Sequence, residues 1–112
     1  VSKPGRLAED AALAFLEQRG LKLLERNYRC RFGEIDLVMR DGTVLVFAEV
    51  RMRTSSAFGG ARESITSTKR ARLLAAARHY LTLQAALPQC RFDALLLNGD
   101  GGIEWLRNAF GE

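Results

Sequence analysis

Long apolar runs are missing from this chain. No stretch approaches the roughly 20 apolar residues that span a bilayer, and the opening VSKPGRLAED has no apolar segment of the kind that directs secretion. The expectation is a cytoplasmic protein. Cysteine is scarce as well. Cys30 and Cys90 are the only two, and neither belongs to a Cys-x-x-Cys or Cys/His cluster, which argues against a zinc site. Each precedes Arg-Phe, in Cys30-Arg31-Phe32 and Cys90-Arg91-Phe92, and each is expected at a strand start. Reduced thiols are the expectation in such a compartment; a bridge stays open if those strand ends are neighbours. The chain also lacks a P-loop, a GxGxxG fingerprint and a GxSxG elbow. It contains no internal repeat, low-complexity segment or linker, and 112 residues fit one domain, 1–112.

Positive charge is present and unevenly placed. The net charge is +4, yet residues 51–80 hold seven Lys/Arg and a single acid, Glu63. The remainder, with ten bases and twelve acids, is slightly negative. A concentrated basic segment is the footprint of a polyanionic partner. A solvated basic helix face is the alternative that charge alone leaves open.

The local patterns give seven elements. Residues 5–19 predict a helix rich in Ala, Leu and Glu, with Gly20 as its stop. Residues 21–29 predict a strand, although their Leu, Lys and Glu also suit a helix. Residues 33–40 and 43–53 alternate, and Asp41-Gly42 between them signals a hairpin. A small-residue loop follows over 54–60. Residues 66–86 predict a long helix with Thr66 or Ser67 as N-cap and Pro88 as terminator. Residues 91–98 predict a buried strand, 99–102 a turn and 103–107 a last strand. The order α-β-β-β-α-β-β suits a central mixed sheet, led by the hairpin, with helices packed on it.

With Asp41-Gly42 as a two-residue turn, Arg40 faces Thr43, Asp36 faces Phe47, and Asp36 is the diagonal neighbour of Glu49. Side chains alternate along a strand. Glu34, Asp36, Glu49 and Arg51 then share one face, while Ile35, Leu37, Val44, Val46, Ala48 and Val50 take the other. A slip of two residues would set Asp36 directly opposite Glu49 on the same face; a slip of one would break the cluster. Carboxylates crowded on one patch need a cation, or one of them must take up a proton. A hard divalent ion, Mg²⁺ or Mn²⁺, favours such oxygens. The competing interpretation is a surface salt-bridge patch of Glu34, Glu49, Arg51 and Arg53. Leu45 and Phe47 on the same face favour the metal, because they give the carboxylates apolar cover.

Two further side chains are candidates. Glu9 lies on the stripe Glu9, Ala12, Leu13, Leu16 and so tends toward the buried side of the first helix; a dipole-favoured helix-start Glu is the plainer explanation. Lys69 begins the row Lys69, Leu73, Ala76, Tyr80 that faces the sheet, unless its stem packs while its amine reaches water. Arg70, Arg72 and Arg78 splay elsewhere and suit phosphate contacts. His79, on the polar side of that helix, is expected to be solvated. Trp105 is expected to pack at a core or edge.

Gly33-Glu34-Ile35-Asp36-Leu37-Val38 and Phe47-Ala48-Glu49-Val50-Arg51-Met52-Arg53 resemble motifs of the YraN-like family of small bacterial proteins. The resemblance extends over Gly5, Glu9, Glu25-Arg26-Asn27-Tyr28, Ala57-Phe58-Gly59, Lys69, Tyr80-Leu81, Phe92-Asp93 and Asn108-Ala109-Phe110. It implies a restriction-endonuclease-like fold related to Holliday junction resolvases and other PD-(D/E)XK nucleases. Within that pattern Asp36 matches the metal-binding Asp, Glu49 the second carboxylate and Glu9 a helix acid of resolvase-like members. Arg51 departs from it, standing where the motif has lysine.

The expectation is therefore a Mg²⁺- or Mn²⁺-dependent nuclease acting on DNA, with branched or damaged structures as candidate substrates. Asp36 and Glu49 would hold the metal, Glu34 or Glu9 would assist, and Arg51 or Lys69 would steady transition-state charge. Arg53, Lys69, Arg70 and Arg72 would grip the backbone, in a homodimer if resolvases are the guide. The rival is a non-catalytic nucleic-acid-binding module whose site has degenerated at Arg51. A domain whose basic helix meets an acidic protein is the third possibility.

Overall fold

The computed structural model describes residues 5–53 and 67–109. The expected 54–60 loop, Thr66 and Phe110 lie outside these residues. The elements follow the expected order: α1 (Arg6–Gln18), β1 (Lys22–Cys30), β2 (Gly33–Asp41), β3 (Val44–Arg53), α2 (Ser67–Leu81), β4 (Cys90–Asn98) and β5 (Ile103–Leu106). The strands form one mixed sheet in the order β1-β2-β3-β4-β5. β3 and β4 pair in parallel, and α2 lies in the connection between them, as a parallel pair requires a crossover. The neighbouring pairs are antiparallel.

A helix covers each face. Ala12 and Leu16 of α1 pack with Leu37, Val46, Ala48, Val50 and Leu95. Leu73, Ala76, Ala77 and Tyr80 of α2 pack with Phe47, Phe92, Ala94 and Leu96 on the other side. The expected α1 stripe is thus the one that buries. Gly20 closes α1 as anticipated: its N–H reaches the Glu17 carbonyl and that of Leu21 reaches Leu16. These are the two bonds of a Schellman ending, with Leu16 and Leu21 in the same core cluster.

Several expectations need correction. The two-residue turn is Gly42-Thr43, because Asp41 pairs with Val44. Gly42 has φ +63 while Thr43 does not enter positive φ, the pattern of a type II′ hairpin with glycine first. Hence Arg40 faces Leu45, a shift of two residues from the simplest register. α2 ends at Leu81, well before Pro88. Beyond Leu81 the Thr82 hydroxyl donates to the His79 carbonyl at 2.6 Å, and the tighter turns at Leu83 and Gln84 wind the helix down. Cys30 ends β1 rather than starting it. Cys90 begins β4, β2 and β3 separate the two strands, and no disulfide joins the two cysteines.

A buried acid fastens the last strand. Asp93 on β4 is 0% exposed. Its carboxylate accepts from Arg91 Nε at 3.1 and 3.2 Å, from the Trp105 indole N–H at 2.8 Å and from the Asn108 amide at 2.9 Å. Trp105 is thereby an edge-packing residue, as expected, with its N–H satisfied. Asp93→Ala leaves the Trp105 indole N–H and the Asn108 amide without their acceptor and leaves the largely buried Arg91 guanidinium with Asp41 alone. It is predicted to lower the unfolding free energy by about 3–5 kcal/mol, read as a drop in the urea midpoint, with a red shift of Trp105 fluorescence as β5 loosens.

Candidate metal centre

The site begins where β2 parts from its neighbours. The β2–β3 ladder runs from Asp41↔Val44 to Leu37↔Ala48 and stops. One step further the same register sets Asp36 against Glu49. Instead of a backbone carbonyl, the Asp36 carboxylate accepts the Val50 N–H at 2.9 Å. The other neighbour breaks at the same place. Arg26 pairs with Leu37 and Tyr28 with Ile35, but Asn27 and Asp36 between them do not pair. Asn27 has φ +54, a left-handed conformation that asparagine tolerates better than most residues.

This break changes which face the side chains take. Leu37 packs in the α1-side core, whereas Ile35 and Tyr28 pack on the α2 side. Strict alternation put Ile35 and Leu37 together, and the irregular backbone at Asn27 and Asp36 is the reason it fails there. β3 stays regular throughout, in ladder with β4 as far as Arg53↔Asn98. Glu49 and Arg51 therefore keep the α2 side, beside Phe47.

The cluster lines a cavity of about 440 Å³. Glu34, Asp36, Glu49 and Arg51 enter it from the sheet, and Lys69, Arg72 and Leu73 from α2. Arg29, Cys30 and Gly33 complete it from the first hairpin. Gly33 permits this closure: a Cβ there would stand 2.7 Å from the Arg72 carbonyl oxygen. Any larger residue would force α2 off the end of the sheet.

Charge inside the cavity is strained in one place. Asp36 is 2% exposed, and its carboxyl shares a hydrogen bond with that of Glu49. Burial first, then the Asp36 charge and that hydrogen bond, push the Glu49 carboxyl up to about 9. Arg51 opposes the shift and Glu34 adds to it. Burial beside Asp36 thus shifts the Glu49 carboxyl toward its protonated form. Arg51 Nη2 contacts Glu49 Oε2 at 2.5 Å. Its Nε is buried and, among the described residues, has no hydrogen-bond partner. Glu34 lies at 3.4 Å from Arg29.

The remaining candidates stand apart. Glu9 is 4% exposed but lies outside the cavity. It accepts from Asn27 Nδ2 at 3.3 Å and lies 3.8 Å from Arg26. It thus braces the kink beside Asp36. Arg53 pairs with Glu104 on β5. Arg70 is exposed on α2, whereas Arg72, expected to splay away, lines the cavity. His79 is engaged by the Tyr28 hydroxyl at Nδ1 rather than simply solvated. Arg29, Cys30 and Gly33 carried no pattern that singled them out. Asn27 carried one, since an Asn inside a strand is a left-handed candidate.

The donor set suits a small hard cation. Among the described residues no group of three His, Cys, Asp or Glu side chains forms a ready cage. Mg²⁺ does not need one: it keeps several waters and takes one or two carboxylates together with substrate phosphates. Two facing carboxyls, Asp36 and Glu49, offer such an ion oxygen ligands.

Fold and site together define a mixed α/β domain with a buried carboxylate pair where its sheet splits. The chain belongs to the family described as "Uncharacterised protein family UPF0102", which matches residues 8–97. It is 57% identical over 110 residues to a UPF0102 protein of Nitrosomonas europaea, covering 96% of this chain and 93% of that one. It is 59% identical over 108 residues to one of Nitrosospira multiformis, covering 95% and 91%. A Cupriavidus metallidurans relative is 57% identical over 111 residues, covering 97% and 81%. No described helix is long and apolar enough to cross a membrane.

The shifted carboxyl has a pH signature. Between the ordinary value of 4.5 and about 9, folded Glu49 keeps a proton that the unfolded chain has released. Stability contributed by this group is therefore full below the lower value and falls as pH rises through that window. Glu49→Gln, uncharged throughout, is predicted to flatten the decline. Urea midpoints from pH 5 to 9 for both proteins provide the check.

Proposed function

We propose that this chain is a metal-dependent nuclease acting on DNA, with a restriction-endonuclease-like fold and branched or damaged structures as its substrates. One observation carries the proposal: a buried Asp36–Glu49 pair beside Arg51, in a cavity walled by Lys69 and Arg72 of the basic helix. The element order supports the fold assignment. An antiparallel hairpin delivers the two carboxylates, and a helix crosses over to a strand parallel to the second of them.

Asp36 and Glu49 would hold Mg²⁺ or Mn²⁺, which when bound activates water and neutralises charge on the phosphate. Asp36 is oriented for this by the Val50 amide. Arg51 stays protonated and offers a planar fork to phosphate oxygens. Lys69 brings a point charge from the opposite wall, the contribution that the motif otherwise assigns to its own lysine. Glu34 draws Arg29 to the cavity edge. Glu9 acts as a positioning residue through Asn27. Arg53, Arg70 and Arg72 would contact the DNA backbone, with salt-dependent affinity.

A second reading has its own observation. Arg51 occupies Glu49 at 2.5 Å, and in a non-catalytic DNA-binding module that ion pair would stand in place of the metal. Calorimetric titration of Mn²⁺ and a cleavage screen on branched and linear DNA separate the two. The nuclease reading predicts Mn²⁺ binding and cleavage by the wild type. It predicts at least a roughly 100-fold loss of both in Asp36→Ala and in Asp36→Asn, which keeps an acceptor for Val50. Cleavage unchanged in both variants overturns the assignment. An inactive wild type that gains cleavage as Arg51→Lys supports the degenerate site.

A further inference from the structure

The tip of the first hairpin carries a side chain that neither the core nor the carboxylate pair uses. Cys30 pairs with Gly33, so Arg31 and Phe32 form the turn between β1 and β2. Tight turns are ordinarily made from Gly, Asn, Asp and other polar residues. An apolar ring there enters no core, and Phe32 is 46% exposed.

The ring is nevertheless held. His79 of α2 lies 5.9 Å from it, tilted by 53°. His79 is fixed in turn by the Tyr28 hydroxyl, and Tyr28 is buried edge-on against Tyr80 at 5.1 Å. Phe32 thus sits at the open end of a column of rings rooted in the α2-side core. Cations stand around it. The Arg31 guanidinium carbon is 5.4 Å from the ring centroid. Arg29, with a side chain 70% exposed, and Arg72 both line the adjoining cavity.

A backed aromatic ring among exposed guanidiniums is how proteins hold single-stranded nucleic acid: the ring stacks a base and the cations take the backbone. A base inside an intact duplex has no free face to offer. We propose that Phe32 is a stacking platform for an unpaired nucleobase. The substrate is then a nucleic acid with an unstacked nucleotide beside the cavity, as at a branch, flap or gap. This deepens the nuclease reading and rests on its nucleic-acid partner, but not on its chemistry.

The test uses the full chain without divalent metal, so that nothing is cut. The probes are a short single strand carrying 2-aminopurine and a fully paired duplex of the same sequence. The expected result is 2-aminopurine quenching by the wild type, with roughly tenfold weaker single-strand binding and lost quenching in Phe32→Ala. Phe32→Trp restores both, and duplex affinity stays the same in all three. Equal single-strand binding and quenching by wild type and Phe32→Ala overturns the platform alone. Absence of binding to either probe at low salt overturns the platform and the nucleic-acid reading together.

Discussion

One hydrogen bond organises the centre of this molecule: the Asp36 carboxylate takes the Val50 N–H that a strand carbonyl would otherwise accept. The bond substitutes for the ladder where β2 leaves β3, so the sheet opens without leaving that amide unsatisfied. A charged acceptor makes a stronger bond than a neutral carbonyl. Its consequence is that a carboxylate is drawn into the sheet, where Glu49 already stands. Two acids are then buried side by side, and burial together with the Asp36 charge raises the Glu49 carboxyl.

The rest of the fold fixes that placement. β3 is held straight by its parallel ladder with β4, and β4 is anchored by Asp93 at its beginning. On the other flank Asn27 absorbs the irregularity in a left-handed conformation, and Glu9 reaches across from α1 to hold its amide. Gly33 lets α2 approach until Lys69 and Arg72 wall the cavity. Strain, burial and charge are thus concentrated in the same few residues, which is where chemistry is expected when a sequence departs from regular rules.

Much of this was legible in the sequence. Alternation over 33–40 and 43–53 identified the hairpin, and the even period of a strand kept Glu34, Asp36, Glu49 and Arg51 together. It did so although the turn lies at Gly42-Thr43, because a two-residue shift preserves the face. The α1 stripe and the row begun by Lys69 followed from helical spacing. What escaped was local and tertiary. Ile35 changes face because Asn27 and Asp36 break the pleat, which no periodicity encodes. Arg72 reaches the cavity because Gly33 admits the helix backbone. α2 ends at Leu81 in the tighter turns at Leu83 and Gln84 rather than at the distant proline. Asp93, inside an apolar run, is buried because Trp105 and Asn108 from beyond the turn, with Arg91 of its own strand, converge on it.

As a metal centre of the kind proposed, the Asp36–Glu49 pair would exchange the proton kept at Glu49 for a divalent cation. Calorimetric titration of Mn²⁺ into the full chain at pH 7, repeated in buffers of different ionisation enthalpy, counts the protons released. Binding heats that vary with the buffer and correspond to about one proton displaced per ion are expected. Mn²⁺ binding with buffer-independent heat would contradict this exchange, because the carboxylates would then already be ionised before the metal arrives.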